Sequence, residues 1–120
     1  MEVVMVATME LARTFAALAD PTRLTLLAAL AEGESTVGDL AEPFDLSQQA
    51  ISKHLKVLEG AGLISRRVAA QSRPCRLEVD RLDSALGWMD EQRRIWADRH
   101  DRLEAHLAQL TTTEDDEVRR

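Results

Sequence analysis

The side chains best suited to recognising another molecule lie between Ser47 and Gly60. Ser47 is a favourable helix N-cap, and Gly60 and Gly62 are stop signals, so this stretch is predicted to be a helix. At about 100° per residue, its side chains separate into two faces. The apolar face carries Ile51, Leu55 and Leu58. The polar face carries amides, a hydroxyl and ammonium groups, contributed by Gln48, Gln49, Ser52, Lys53 and Lys56.

The groups on this polar face favour contact with double-stranded DNA. Amides and hydroxyls bind base edges, and ammonium groups bind phosphates. A solvent-exposed amphipathic helix without such a role would show the same two faces. The neighbouring elements must therefore decide between the two interpretations.

The charge of the chain is unevenly distributed. The formal net charge of −6 argues against a nucleic-acid partner when taken alone. Residues 47–78, however, hold six basic and two acidic side chains, while the segments on either side are acidic. Because salt screens charges beyond roughly 8–10 Å, the local excess matters more than the total.

Three shorter helices are predicted before this stretch. The first spans Thr8–Ala19, and its apolar face contains Met9, Ala12, Phe15, Ala16 and Ala19. The second begins at the N-cap Asp20 with Pro21 at its first position, passes through Leu24, Leu27, Ala28 and Leu30, and ends at Gly33. The third begins with the capping box Thr36–Asp39 and ends near Phe44. The third helix and the helix over 47–60 then form a helix-turn-helix.

An alternating pattern follows Gly62 and predicts a β-hairpin. The strands are Leu63–Val68 and Cys75–Val79, with Cys75, Leu77 and Val79 on one face. The polar tip between them contains Gln71 and Ser72. The basic residues of the hairpin, Arg66, Arg67 and Arg73, are interpreted as phosphate or minor-groove contacts. A basic hairpin over 66–76, directly after such a helix, is a wing.

A long final helix is predicted from about Arg81 to Leu110, capped by Asp80. Its heptad seam includes Leu82, Leu86, Met89, Trp96, Leu103 and Leu107, with Arg93 and His100 as polar interruptions. About 30 residues make a helix of ~45 Å, more than a small core needs, so a second copy of the chain is expected to cover this face. The expected fold class is mainly α with a two-stranded wing, in one domain over residues 1–112. Residues 113–120 are expected to be a disordered acidic tail.

Several motifs together resemble the ArsR/SmtB family of bacterial winged helix-turn-helix repressors. They are the strings FAALADPTRL at 15–24, TVGDLA at 36–41, LSQQAISKHLKVL at 46–58 and AGLI at 61–64. The resemblance implies a homodimer formed by the first and last helices, Phe15 and the seam residues included. It implies binding to an inverted-repeat operator in double-stranded DNA, released by an effector. It also implies that bases and phosphates are contacted from four positions, Gln48, Gln49, Ser52 and Lys53.

The sequence departs from the metal-sensing members of that family. Thr36 and Gly38 stand where those members have a Cys-x-Cys site, and neither supplies a soft ligand. Asp98 and His100 copy half of the family's other site, but His106 follows too soon and lies about 240° around the helix. We therefore expect neither a metal nor another cofactor. Thr36 is interpreted as a helix cap that also brings backbone amides to a phosphate.

No motif for catalysis is present, so we expect a protein that is not an enzyme. A start without the basic residues of a signal peptide, a single cysteine and the lack of a long apolar run favour a cytoplasmic protein without a membrane partner. The small-molecule effector stays unknown. Two alternatives stay open: a protein-interaction module with vestigial DNA binding, and a repressor whose thiol at Cys75 responds to oxidants.

Overall fold

The structure, a computed structural model, describes residues 2–69 and 72–119, the last seven through their backbone alone. Five helices and two strands follow one another along the described chain. They are α1 (Glu2–Leu18), α2 (Pro21–Ala31), α3 (Val37–Ala41), α4 (Gln48–Gly60), β1 (Ile64–Arg66), β2 (Cys75–Leu77) and α5 (Asp80–Arg119).

Local capping chemistry sets the starts of the three middle helices, as predicted. The Asp20 carboxylate accepts a hydrogen bond from the Arg23 N–H at 3.1 Å. The hydroxyls of Thr36 and Ser47 accept from the N–H groups of Asp39 and Ala50 at 3.2 and 3.1 Å. Each cap satisfies a backbone donor that the first helical turn leaves without an intrahelical partner.

The end of α4 is a left-handed turn at Gly62. Its φ of 76° lies in the region that only glycine adopts without strain. The N–H groups of Gly62 and Leu63 bond back to the carbonyls of Glu59 and Leu58, at 3.0 and 2.9 Å. This pair of bonds is a Schellman motif, and it turns the chain from α4 towards β1.

The core lies between α2, α3, α4 and the hairpin. Its fully buried large apolar side chains are Leu26, Ile51, Leu55, Leu58 and Leu63. Burial of Ile51, Leu55 and Leu58 confirms the apolar face predicted for α4.

Two faces of the early helices differ from expectation. In α2, Leu24 is 51% exposed and Ala28 is also exposed, while Leu26 is fully buried. Nearly every residue of α2 is apolar, so helical spacing alone fits more than one face. In α1, which begins at Glu2 rather than Thr8, Thr14 and Ala17 are buried and Met9 is exposed. The Thr14 hydroxyl donates to the Glu10 carbonyl at 3.2 Å, which makes its burial tolerable.

The hairpin pairs antiparallel, with Ile64 opposite Leu77, Ser65 opposite Arg76, and Arg66 opposite Cys75. Both strands are shorter than predicted, and Val79 is exposed rather than on the inner face. A separate bridge joins Ser35 to Cys75, so the segment before α3 also pairs with β2. Two backbone bonds between Ser35 and Cys75, at 3.1 and 2.8 Å, hold this edge.

Helix α5 begins one residue earlier than predicted. The Val79 carbonyl accepts from the Asp83 N–H at 2.8 Å, so Asp80 is the first helical residue rather than the cap. The backbone is helical to Arg119, past the predicted end near Leu110. The division of the chain at 112 and the disorder of 113–120 stay predictions. Contacts divide the described chain into two units, one through Ala85 and one from Leu86.

Within the described chain, no helix is both long enough and apolar enough to cross a membrane.

Two glycines near the end of α4 give opposite predictions for stability. Gly62→Ala should lower the free energy of unfolding by about 1–2 kcal/mol, because φ there is positive. An added Cβ would also lie 3.2 Å from the Arg81 side chain. Gly60→Ala should raise the free energy of unfolding by about 0.5–1 kcal/mol, since this helical position has open space for a methyl group. Urea denaturation at one fixed protein concentration measures both variants. Equal effects in the two would contradict the assignment of the helix end.

Candidate nucleic-acid interface

The polar face of α4 is turned to solvent along its length. Gln48, Gln49, Lys53 and Lys56 are exposed and Ser52 is half-buried. These five side chains line one shallow surface concavity. The structure therefore brings together the polar residues that the sequence pattern assigned to one face, opposite the buried Ile51, Leu55 and Leu58.

The short helix α3 and its N-cap lie beside the start of this polar face. Gly38, in its first turn, approaches Gln48 so closely that a Cβ there would lie 3.7 Å from the amide nitrogen. The α3 N-cap Thr36 thus lies near the start of α4. Its hydroxyl is half-buried and engaged with the Asp39 N–H, as the cap interpretation requires.

His54 is half-buried on α4, because it lies about 240° around the helix from Gln48, towards the apolar face. Its Nδ1 is 3.3 Å from Nη1 of Arg23 and 3.8 Å from the Asp20 carboxylate. Arg23 also donates to the carbonyls of Ala17 and Ala16, at 2.7 and 3.2 Å, and so caps the end of α1. The hydrogen bond from the Arg23 backbone N–H, with smaller contributions from nearby positive charge, lowers the pKa of Asp20 below its ordinary value. Arg23 and His54 therefore join α1, α2 and α4, a structural role.

The three wing arginines have different surroundings. The Arg67 guanidinium donates to both carboxylate oxygens of Glu34, with the shortest distance 2.9 Å. The Arg66 side chain is only 13% exposed, and its Nε is 3.9 Å from a carboxylate oxygen of Glu59. Its Nε and Nη2 are buried, and no described residue forms a hydrogen bond with either nitrogen. Arg73 is exposed.

The wing therefore offers less free positive charge than its sequence suggested. Arg66 does not lie at the surface as a phosphate contact would, because its cross-strand partner is the buried Cys75. Residues that face each other across an antiparallel pair point to the same side of the sheet. Ser72 is exposed at the tip, where its hydroxyl donates to the Ala69 carbonyl at 3.0 Å. The predicted contact Gln71 lies outside the described residues.

Cys75 lies on the packed inner face that the alternation predicted for the second strand, rather than in surroundings that would activate its thiol. The thiol is fully buried, and its desolvation raises the pKa of Cys75 above the ordinary value of 9.0. The Arg66 charge opposes this rise, and the Glu59 charge adds to it. A buried, protonated thiol is a poor nucleophile towards oxidants, so the structure does not favour the redox alternative.

The residues predicted for a dimer interface fall into two groups. Phe15 and Leu82 are half-buried, and Leu82 packs against the core. Leu86, Met89, Trp96, Leu103 and Leu107 are exposed in the single chain, Trp96 to 66%. Exposed apolar side chains at this spacing on one helix are typical of a surface that another chain covers.

The partial metal motif on α5 is occupied by other interactions. The Asp98 carboxylate pairs with Arg102 at 3.1 Å, and His100 pairs with Glu104 at 3.0 Å. The His100 ring also stacks on Trp96, with centroids 5.1 Å apart. Among the side chains that the structure describes, in residues 2–69 and 72–112, no three of His, Cys, Asp or Glu are grouped as metal ligands.

A short helix, a longer helix with an exposed polar face, and a following two-stranded hairpin define the winged helix-turn-helix class of protein. Residues 20–66 match the family described as bacterial regulatory protein, arsR family. Transcriptional repressor SdpR of Bacillus subtilis is 39% identical over 75 residues, covering 62% of this chain and 83% of SdpR. The HTH-type transcriptional regulator Rv2034 of Mycobacterium tuberculosis is 36% identical over 106 residues, covering 88% of this chain and 92% of that protein.

A solved structure of a winged helix-turn-helix domain is also similar to this chain. The homodimeric winged helix-turn-helix DNA-binding domain Mb0332 from Mycobacterium bovis, studied by solution NMR, is a possible ArsR-family regulator. It has a TM-score of 0.61 and 28% identity, over 80% of this chain and 85% of that one. The chain belongs to the arsR family of bacterial regulatory proteins. The resemblance and the fold class predicted from the sequence are confirmed.

Burial of Cys75 predicts a slow reaction with thiol reagents. Iodoacetamide at pH 8 should label the native protein about 100-fold more slowly than the urea-unfolded chain, since labelling requires an opening that costs roughly 3 kcal/mol. The raised folded pKa also means that the protonated buried thiol stabilises the fold below pH 9, and that this stability is lost as the pH rises towards the folded pKa. Mass spectrometry follows the labelling. Equal rates for native and unfolded chains would contradict the burial.

Proposed function

We propose that this protein is a homodimeric transcriptional repressor that inserts α4 into the major groove of a pseudo-palindromic operator. The observation that carries the proposal is the row of exposed amide and ammonium groups opposite the buried apolar face of α4. Glutamine amides pair with the donor and acceptor atoms of adenine, and lysines bind guanine or phosphate. In a bacterial cell such a protein works in the cytoplasm.

The remaining contacts in the proposal surround this row. Ser47 and Thr36 bring helix N-termini towards phosphates, and Arg73 with Ser72 contacts the duplex beside the major groove. Arg67 contacts DNA in this proposal only when its ion pair with Glu34 breaks. Arg66 is the least favourable of the predicted DNA contacts because its side chain is largely buried. Two-fold symmetry would place the two copies of α4 about 34–36 Å apart, one turn of duplex DNA.

The dimer in this proposal is formed by α1 and α5. Exposed seam residues from Leu86 to Leu107 support it, since isolated chains rarely leave a regular row of large apolar side chains in water. Phe15, half-buried on α1, is included by family resemblance. The domain Mb0332 of Mycobacterium bovis is homodimeric, which supports a dimer for this chain as well.

One observation favours the second candidate, a module that binds protein and has little affinity for DNA. Glu34 neutralises Arg67, and Glu59 lies beside Arg66, so part of the positive charge of the wing is already paired. The dependence of affinity on salt separates the candidates. Phosphate contacts release counterions and give a steep loss of affinity as salt rises, whereas an apolar protein interface does not.

The first test concerns DNA recognition by α4. Gln49→Ala should weaken binding to the operator by roughly 1–3 kcal/mol for each half-site and relax the preference at one base pair in each half-site. Lys53→Ala should weaken binding on all sequences and reduce the log–log salt slope by about 1.8, since each of the two subunits loses one phosphate contact worth about 0.9. Footprinting and fluorescence anisotropy on the protein's own promoter region measure these effects. The control is Gln92→Ala, an exposed glutamine on α5. Unchanged affinity and footprint in the Gln49→Ala, Lys53→Ala double variant would contradict the assignment of α4 as the helix that contacts DNA.

The second test concerns the dimer. Leu103→Asp places a carboxylate in the apolar seam and should raise the dimer dissociation constant about 100-fold or more, because a buried unpaired charge costs several kcal/mol. Ala105→Asp adds the same charge two residues away, outside the seam, and should leave the dimer intact. Analytical ultracentrifugation of both variants gives the comparison. A Leu103→Asp protein that dimerises as tightly as the Ala105→Asp control would show that the seam is not the interface.

A further inference from the structure

A groove on the unit through Ala85 combines an apolar floor with a cationic rim. It lies between α1, the start of α2 and the second half of α4, is open to solvent, and has a volume of about 540 Å³. Its floor includes Ala17, Val57 and Ala61, and its rim carries Arg13, Arg23 and Lys56. Sites for small organic ligands have volumes of roughly 300–1,000 Å³ and a mainly apolar lining with a few polar groups.

The rim is positively charged and only partly compensated. Arg23 is held by the carbonyls of Ala16 and Ala17, and Asp20 offsets part of its charge. In the part of the chain that the structure describes, neither Arg13 nor Lys56 has an ion-pair partner, and no carboxylate lines the groove. An anion entering here would therefore meet one fixed guanidinium and two free cationic side chains.

The groove shares a residue with the candidate nucleic-acid interface. Lys56 lines both this groove and the concavity formed by Gln48, Gln49, Ser52 and Lys53. It lies on α4 and carries a single positive charge, so an anion bound to it in the groove would offset that charge and weaken its attraction for a DNA phosphate. None of the sequence patterns pointed to this overlap, because Arg13 and Arg23 come from other helices.

We propose that the groove is an effector site for an amphipathic organic anion, a carboxylate or sulfonate with an apolar body, which weakens DNA binding by engaging Lys56. The apolar body covers Ala17, Val57 and Ala61, and the acid group binds Arg13 and Lys56. The regulatory half of this proposal rests on the proposed function of α4. Coupling between two ligands is reciprocal, so DNA must weaken binding of the anion by the same factor as the anion weakens binding of DNA.

The site is tested first without DNA, on the full chain, with 2-naphthoate as the probe and neutral 2-naphthamide as its matched control. Isothermal titration calorimetry should show naphthoate binding about tenfold or more tighter than the amide, since charge-assisted hydrogen bonds to guanidinium exceed neutral ones. The Arg13→Gln variant should bind naphthoate about tenfold more weakly than the wild type and should bind naphthamide as tightly as the wild type. Arg102→Gln removes an exposed arginine that does not line the groove, and should bind naphthoate like the wild type.

Three results would each overturn the site. They are equal affinity for naphthoate and naphthamide, an Arg13→Gln protein that binds naphthoate like the wild type, and no binding at millimolar naphthoate.

The second stage adds operator DNA. Naphthoate should weaken DNA binding of the wild-type and Arg102→Gln proteins, while Arg13→Gln binds DNA normally and ignores naphthoate. DNA binding that is unaffected by saturating naphthoate would overturn the regulatory role. Absence of any DNA binding would instead overturn the function proposed for α4, and the calorimetric result would stand independently.

Discussion

Burial of one side of α4 is the constraint on which the rest of the structure depends. Ile51, Leu55 and Leu58 are fully buried against α2, α3 and the hairpin. Burying three large aliphatic side chains is worth roughly 1.5–3 kcal/mol each, far more than any single surface contact in the chain. Because α4 is a regular helix, fixing these three side chains inward also fixes where every polar side chain points. The exposed amide and ammonium row is thus a consequence of the core.

Features determined by local chemistry were predictable from the sequence. Asp20, Thr36 and Ser47 cap helices because their side chains bond the backbone three residues on, an interaction that needs no distant partner. Gly62 ends α4 for the same kind of local reason, its positive φ. The two faces of α4 follow from a pattern in which apolar and polar residues do not overlap. Where α2 is apolar almost throughout, the same reasoning chose Leu24 instead of Leu26.

Features determined by pairing between distant segments were not predictable. The faces of the hairpin depend on register, and only the pairing of Arg66 with Cys75 shows that the arginine points inward with the buried thiol. The sequence alternation around Cys75 indicated an inner face for the second strand, but nothing local related it to Arg66. The contact between Glu34 and Arg67 joins residues 33 positions apart. Counting basic residues over 47–78 therefore overestimated the charge that the wing presents.

The paired arginines alter how the candidate interface is expected to discriminate between DNA sequences. With Arg67 held by Glu34 and Arg66 largely buried, the basic residues of 47–78 that pair with no described carboxylate are Lys53, Lys56, Arg73 and Arg76. A small number of free cations gives weak binding to DNA of arbitrary sequence, and the acidic segments on either side weaken it further. In the function we propose, specific binding then depends on the amides of Gln48 and Gln49, which would contact bases rather than phosphates. Because the proposed interface has so few phosphate contacts, an anion that engages Lys56 in the proposed effector site would remove a substantial share of them.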